Sequence, residues 1–216
     1  MEHNKIIIIP TYNELNSLKR VILNCPKKWK ILILDDCSKD KTIKWLKKNK
    51  ISFIKNNQNL GYEKNLIKGF EYVLKQKKYK LVATIDADGE HDPKFLDKMK
   101  NKIKLQKLDM IIAEREKYNR ISEAFIGKLY KKKFNISDPL SGYKIYKTKT
   151  LEKILPKIKN IFFLVDIINL MISQGKKIGT IRIKSNKRKF GKPKVGGGFI
   201  VNFKIFFLIS ILFLIR

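Results

Sequence analysis

Asp86, Asp88 and Glu90 stand at alternate positions just after an apolar run, Leu81 to Ile85. In an extended chain alternate side chains project to the same side, so this spacing predicts three carboxylates converging at the end of a buried strand. Like charges held that close disfavour joint ionisation. At a separation of about 4 Å each pair repels by roughly 4 kcal/mol at an effective dielectric near 20. A divalent cation removes the conflict, and hard oxygen ligands suit Mg2+ or Mn2+. The alternative is a solvated acidic turn before a helix, since Asp92-Pro93 makes a good N-cap and first-turn pair. Asp92 is assigned to that cap. The metal reading is favoured for the other three because acid-tipped strands recur in the chain.

The elements that must position these acids alternate regularly. Ile6 to Ile9 is a short β-branched run of the kind buried on both faces of a sheet, broken by Pro10-Thr11-Tyr12-Asn13-Glu14. Leu15, Leu18, Val21 and Ile22 follow at helical spacing. A second strand, Ile31 to Leu34, runs into Asp35-Asp36-Cys37-Ser38-Lys39-Asp40, with Ser38 or Asp40 as cap for a short helix through Ile43, Trp45 and Leu46. Ile51 to Ile54 reads as a third strand. Leu66, Ile67, Phe70, Val73 and Leu74 make a core stripe on a helix over 62–78, and Phe95, Leu96, Met99 and Ile103 mark the helix after the acids. This alternation is the pattern of a parallel sheet with helices on its faces, and such sheets bind ligands beyond the carboxyl ends of their strands. No GxGxxG and no Walker pattern is present, which excludes a dehydrogenase or a P-loop enzyme. A nucleotide phosphate would have to be held by metal and basic side chains.

The second half reads differently. Asp109 to Ala113 is a candidate strand ending in Glu114-Arg115, 121–134 has helical spacing, and Asp138-Pro139-Leu140-Ser141-Gly142-Tyr143 is a turn before a strand, Tyr143 to Tyr146. The helix over 162–174 carries one acid, Asp166, read first as a partner of the helix dipole. Lys184 to Lys194 holds six basic residues in eleven, and an apolar tail follows. Over 199–216 a helix would span about 27 Å, just short of the roughly 30 Å hydrocarbon core. Lys204 interrupts it, so a helix lying in the interface is favoured over a true span. The polybasic block beside it suits anionic head groups.

The chain has 216 residues, 44% of them hydrophobic, with 13 Phe. That composition fits one domain with a substantial core and argues against disorder. Lys and Arg number 49 against 19 Asp and Glu, for a net charge of +30, which points to an anionic partner: nucleotide, nucleic acid or membrane surface. Cys25 and Cys37 lack metal spacing, which suits a reduced setting. Four isoleucines between Lys5 and Pro10 do not make a signal peptide.

With these residues placed, the chain resembles the family-2 inverting glycosyltransferases of the GT-A fold, and among them the dolichol-phosphate mannose synthases and related polyprenyl-phosphate glycosyltransferases. The resemblance runs from about residue 5 to 195 and rests on six motifs in order: Ile9-Pro-Thr-Tyr-Asn-Glu14, Leu34-Asp-Asp-Cys-Ser-Lys-Asp-Lys-Thr42, Asn59-Leu-Gly61, Asp86-Ala-Asp-Gly-Glu-His-Asp-Pro93, Asp138-Pro-Leu-Ser-Gly-Tyr143, and Arg188-Lys-Phe-Gly-Lys-Pro-Lys194. It implies a mixed, mainly parallel sheet flanked by helices over residues 1–198, with a membrane-associated apolar segment over 199–216.

The resemblance further implies that Pro10, Tyr12, Glu14 and Asp36 line the base and ribose pocket. Asp86 and Asp88 would hold Mg2+ or Mn2+ and the donor diphosphate, with Glu90 as third ligand. Arg115, Arg120, Arg188 and Lys194 would bind phosphate, with Asp88, Arg115 and Arg188 catalytic. Pro193 and Cys37 depart from the usual serine and glycine. The implied reaction moves a sugar from a nucleotide diphosphate to a lipid-linked phosphate, with inversion, at the cytoplasmic face of a membrane. A phosphate monoester, with a second pKa near 6, is already an anionic nucleophile and needs no strong base. A sugar-hydroxyl acceptor would need one, and Asp138 or Asp166 is the candidate. A nucleic-acid-binding protein would interleave aromatics with its basic residues on an exposed face; here most aromatics sit at core spacings, and no nucleic-acid partner is expected.

Overall fold

The computed structural model describes residues 4–118, 120–158 and 163–186. Its seven strands form one sheet, β1 (Lys5–Thr11), β2 (Lys30–Asp35), β3 (Phe53–Lys55), β4 (Leu81–Thr84), β5 (Met110–Arg115), β6 (Lys144–Lys147) and β7 (Ile178–Ile183). They lie in the order β3-β2-β1-β4-β6-β5-β7. All pairings are parallel except those of β6, which runs antiparallel to both β4 and β5. The expected mixed, mainly parallel sheet is therefore present.

Seven α-helices connect the strands: α1 (Leu15–Asn24), α2 (Thr42–Lys48), α3 (Tyr62–Lys75), α4 (Phe95–Leu105), α5 (Ile121–Phe134), α6 (Thr148–Ile154) and α7 (Phe163–Ser173). They cover both faces, and this is why β1 is a continuous rather than an alternating apolar run. Ile6 and Ile8 enter one core with Leu66 and Phe70 of α3, Tyr130 of α5 and Phe163 of α7. Ile7 and Ile9 enter the other with Leu18 of α1, Leu46 of α2 and Met99 of α4. Gly69 lets α3 lie against β2, because a Cβ there would stand 2.3 Å from Leu34 Cδ1.

Several expectations change. β4 ends at Thr84 rather than Ile85, and β3 begins at Phe53 rather than Ile51. Asp92 accepts the Lys94 N–H at 3.0 Å and so caps a turn from which α4 starts at Phe95. α6 and β7 were not anticipated. The apolar tail, 199–216, lies outside the described residues. Among the described residues no helix is long and apolar enough to cross a membrane.

Phe70 is fully buried, edge-on to Tyr146 at 5.3 Å and tilted against Phe163 at 5.7 Å. Phe70→Ala is expected to cost about 3–5 kcal/mol, and to lower the melting temperature by roughly 10 °C in a chain of this size. Thermal denaturation followed by circular dichroism measures it.

Candidate active site

The parallel strands end together, β1 in Thr11 to Glu14, β2 in Asp35-Asp36, β4 in the acidic loop and β5 in Glu114-Arg115. Because β6 is reversed, its first residue lies at this same end, with Lys144 in register with Thr84 and Ile112. Five of the six sequence motifs thus meet at one end of the sheet, and the sixth, Arg188 to Lys194, lies outside the described residues.

On the β1–β2 side the loops are sewn to each other. Asn13 sits at φ 50°, a left-handed conformation that asparagine tolerates. Its Oδ1 accepts the N–H groups of Lys39 at 2.7 Å and Asp40 at 3.2 Å, while its own N–H donates to Ser38 Oγ at 2.9 Å. Ser38, expected as a helix cap, holds this neighbouring loop instead; Asp40 accepts the Thr42 N–H at 2.9 Å. Pro10 is buried, Tyr12 half-buried, and the buried Glu14 accepts from Ser17 Oγ at 3.5 Å. Asp36 takes bonds from Asn56 Nδ2 (2.9 Å) and the N–H groups of Leu60 (2.8 Å) and Gly61 (2.9 Å), pinning the loop before α3. Cys37, where the resembling family often has glycine, has φ 66°, so the departure is made in a conformation that favours glycine.

Asp35 was not singled out from the sequence. It is fully buried, and while Oδ2 accepts the Ser38 N–H at 3.1 Å, Oδ1 has no partner. Thr11, its register neighbour, is buried with an unpartnered Oγ1. Leaving a buried polar atom unpaired costs about 1–3 kcal/mol, so these two register neighbours carry an unmet hydrogen-bonding demand at the strand ends.

The acidic loop corrects the first expectation. Beyond Thr84 the chain leaves the strand, turns at Ala87 and Asp88, and passes through Gly89 at φ 80°. That turn breaks the two-residue alternation on which convergence depended. Asp88 Oδ1 instead accepts the Glu90 N–H at 3.0 Å. Among the described residues no three His, Cys, Asp or Glu side chains are gathered to hold a metal by themselves. Asp86 and Asp88 remain together on one short loop. Mg2+ in nucleotide enzymes is commonly held by one or two carboxylates, with phosphate oxygens and water completing the shell. Gly142 leaves Asp86 its room, since a Cβ there would stand 2.4 Å from Oδ2. The residues fit a cation shared with a diphosphate rather than one caged by protein.

Cations face this loop from the other side. Arg115 grips Asp138 through Nε (2.7 Å) and Nη2 (3.0 Å), donates its own N–H to the same carboxylate at 3.1 Å, and lies 3.3 Å from Glu123. Burial works to lower its pKa, but Asp138 and Glu123 more than offset this and raise it. Arg120 lies 3.8 Å from Glu123. Asp138, a candidate base for a hydroxyl acceptor, has both oxygens engaged by Arg115. Asp166 stands in the first turn of α7, the dipole position expected of it. Arg188 and Lys194 lie outside the described residues, but Asn186 donates its N–H to Glu90 O at 2.8 Å. The chain therefore enters its basic block beside the acidic loop.

Three further residues escaped sequence reasoning. Tyr62 donates its hydroxyl to Asp86 Oδ1 at 3.1 Å, and burial with the Asp86 charge raises its pKa. His91 is buried against Tyr143, and burial pushes it down to about 4; it is uncharged at neutral pH and makes no ion pair with Asp86. Lys144 is fully buried, its Nζ donating to Pro139 O at 3.0 Å and to Ser141 O. Thr84 Oγ1 donates to Gly142 O at 2.7 Å, completing the attachment of that loop.

The buried charges can be tested through stability. Asp138→Ala removes both side-chain hydrogen bonds to Arg115 and leaves Glu123 alone to answer the guanidinium, at an expected cost of about 3 kcal/mol. Pairing it with Arg115→Met should recover part of the loss in urea unfolding. Burial pushes Lys144 down to about 7 from 10.5, against the pull of Asp138 and Asp86 and with the push of Arg115. Above pH 7 the folded chain has released this proton while the unfolded chain still holds it, so stability from this group rises with pH. The stability difference between wild type and Lys144→Met is expected to shift towards wild type from pH 7 to 9.

The model of the family described as Glycosyl transferase family 2 matches residues 6–155. The chain is 27% identical over 218 residues to undecaprenyl-phosphate mannosyltransferase of Micrococcus luteus, covering 90% of this chain and 88% of that one. It is 26% identical over 217 residues to polyprenol monophosphomannose synthase of Mycolicibacterium smegmatis, covering 89% and 81%. Among solved structures it is similar to glucosyl-3-phosphoglycerate synthase of Mycobacterium tuberculosis in complex with Mn2+, UDP and glucosyl-3-phosphoglycerate. The TM-score is 0.73 at 15% identity, over 97% of this chain and 78% of that one, a likeness of fold. With a family match over most of its length and the motifs of residues 9–143 meeting at one end of the sheet, the chain belongs to glycosyl transferase family 2 and is a glycosyltransferase.

Proposed function

We propose that this glycosyltransferase moves one sugar from a GDP- or UDP-sugar to a polyprenyl or dolichyl phosphate, with inversion, using Mg2+ or Mn2+. The observation that carries the reading is the bond from Asn186 to Glu90. It sets Asn186, within the stretch that runs into the basic block, beside the carboxylate loop, which supports a site where anionic phosphates meet acids and bases together. The names of the two relatives, one an undecaprenyl-phosphate and one a polyprenol enzyme, support the lipid acceptor. The structural relative is a complex with Mn2+ and UDP, which supports the cation.

Asp86 and Asp88 hold the cation in this reading, with Glu90 beside them. The cation supplies Lewis-acid stabilisation of the charge that develops on the departing diphosphate. Pro10, Tyr12, Glu14 and Asp36 line the nucleoside side, where the open oxygens of Asp35 and Thr11 accept polar hydrogens. Arg120, Arg188 and Lys194 position the acceptor phosphate, and Arg115 contributes while paired to Asp138. The engaged state of Asp138 favours a phosphate acceptor, which needs orientation rather than a base. The enzyme works in this reading at the cytoplasmic face of a membrane, with 199–216 as its membrane-associated segment.

Asp88→Ala is expected to lower turnover at least about 100-fold, since the lost charge stabilisation amounts to several kcal/mol. In a thermal-shift screen of UDP, GDP and their sugars, the wild type is expected to be stabilised by one nucleotide only when Mn2+ is present. The variant should lose that response. Wild-type turnover in Asp88→Ala, or no nucleotide response in the wild type, overturns the reading.

A further inference from the structure

Asp86 is held from three separate elements. The Tyr62 hydroxyl, in the first turn of α3, donates to Oδ1 at 3.1 Å. His91 Nδ1, from the loop before α4, stands 3.5 Å from Oδ2. Gly142, before β6, backs the carboxylate so closely that a Cβ would stand 2.4 to 2.8 Å from its atoms. His91 is only 4% exposed, yet neither ring nitrogen makes a hydrogen bond. The desolvation penalty of idle buried nitrogens is not offset in this state of the protein. Nδ1 faces Asp86 Oδ2 across 3.5 Å, with Asp88 as the neighbouring charge.

We infer that Tyr62 and His91 are positioning residues for Asp86, one set at each of its two oxygens, so that the carboxylate is aimed at the cation carried with the donor diphosphate. The inference rests on the proposed function and assigns roles that the reading itself does not supply. The contrast with Asp138 shows what the pair achieves. There a guanidinium holds the carboxylate and answers its charge. At Asp86 a phenol and an imidazole stand at the two oxygens, so the contacts restrict rotation of the carboxylate. Groups that orient a ligand in this way typically change metal affinity 10–100-fold when removed. Tyr62 reaches Asp86 from the helix that follows the loop pinned by Asp36, so the grip also joins the nucleoside side of the site to the acidic loop.

The test measures Mn2+ binding directly, from the electron paramagnetic resonance signal of the free ion, with UDP or GDP present according to which stabilises the wild type. Tyr62→Phe, which keeps the ring and loses the donor, and His91→Leu are each expected to weaken Mn2+ binding about 10-fold. His91→Gln keeps an N–H donor and is expected to stay near the wild-type affinity. Melting temperatures without metal are recorded alongside. Variants that melt lower but bind Mn2+ as tightly as wild type overturn the inference, because they show support of the fold and nothing more. His91→Gln binding as weakly as His91→Leu overturns the role given to His91. Tyr62→Phe, the mildest change, decides the case if the His91 variants do not fold. A wild-type chain that binds no Mn2+ with either nucleotide overturns the proposed function and this inference with it; a responsive wild type with unchanged variants overturns the inference alone.

Discussion

Carboxylates crowded at the closed end of a sheet repel one another, and the way this chain answers that repulsion shapes everything around it. Asp35, Asp36, Asp86, Glu114 and Asp138 all lie where strands end or a strand begins. Two kinds of compensation are used. Asp36 and Asp138 are satisfied in place, the first by hydrogen bonds from N–H groups and an amide, the second by the charge of Arg115. Asp86 is steadied by the Tyr62 hydroxyl. It shares one short loop with Asp88, and a multivalent cation bridging to phosphate is the chemistry such a loop suits.

The reversed strand β6 makes the arrangement possible. A parallel strand in its place would send its first residue to the far end of the sheet. Antiparallel, it delivers Lys144 and the Asp138–Gly142 loop to the same edge as the ends of β4 and β5. Lys144 then ties the loop down through two carbonyls, and Thr84 ties it to β4. A fully buried ammonium is costly to keep, and its position under the loop explains why the chain tolerates one there.

Much of this was legible beforehand. The strands β1, β2 and β4 showed in runs of isoleucine, leucine and valine, because burial on both faces removes any need for alternation. The span of α5 showed in its spacing. What stayed hidden depended on contacts remote in sequence. β7 contains Gly179, which weakens a strand signal but is needed where a Cβ would stand 2.4 Å from Leu108 Cδ1. α6 is short and starts with two threonines in three residues, poor helix formers. The acids at 86, 88 and 90 were found, but their geometry was misjudged, since a glycine at φ 80° turns the chain between the second and third. Tyr62, His91 and Lys144 carry no motif of their own. Each is ordinary in type, and only the fold sets it against Asp86 or its loop.

Gly142 carries a lesson about which positions can drift as sequences diverge. It has no side chain, and besides accepting the Thr84 hydroxyl through its carbonyl it matters through the atoms it lacks. Yet the smallest addition there would push into a carboxylate that also accepts a phenol's hydrogen bond. A substitution at this silent residue therefore disturbs the acid without touching it, and a map of tolerated changes would register the pair together.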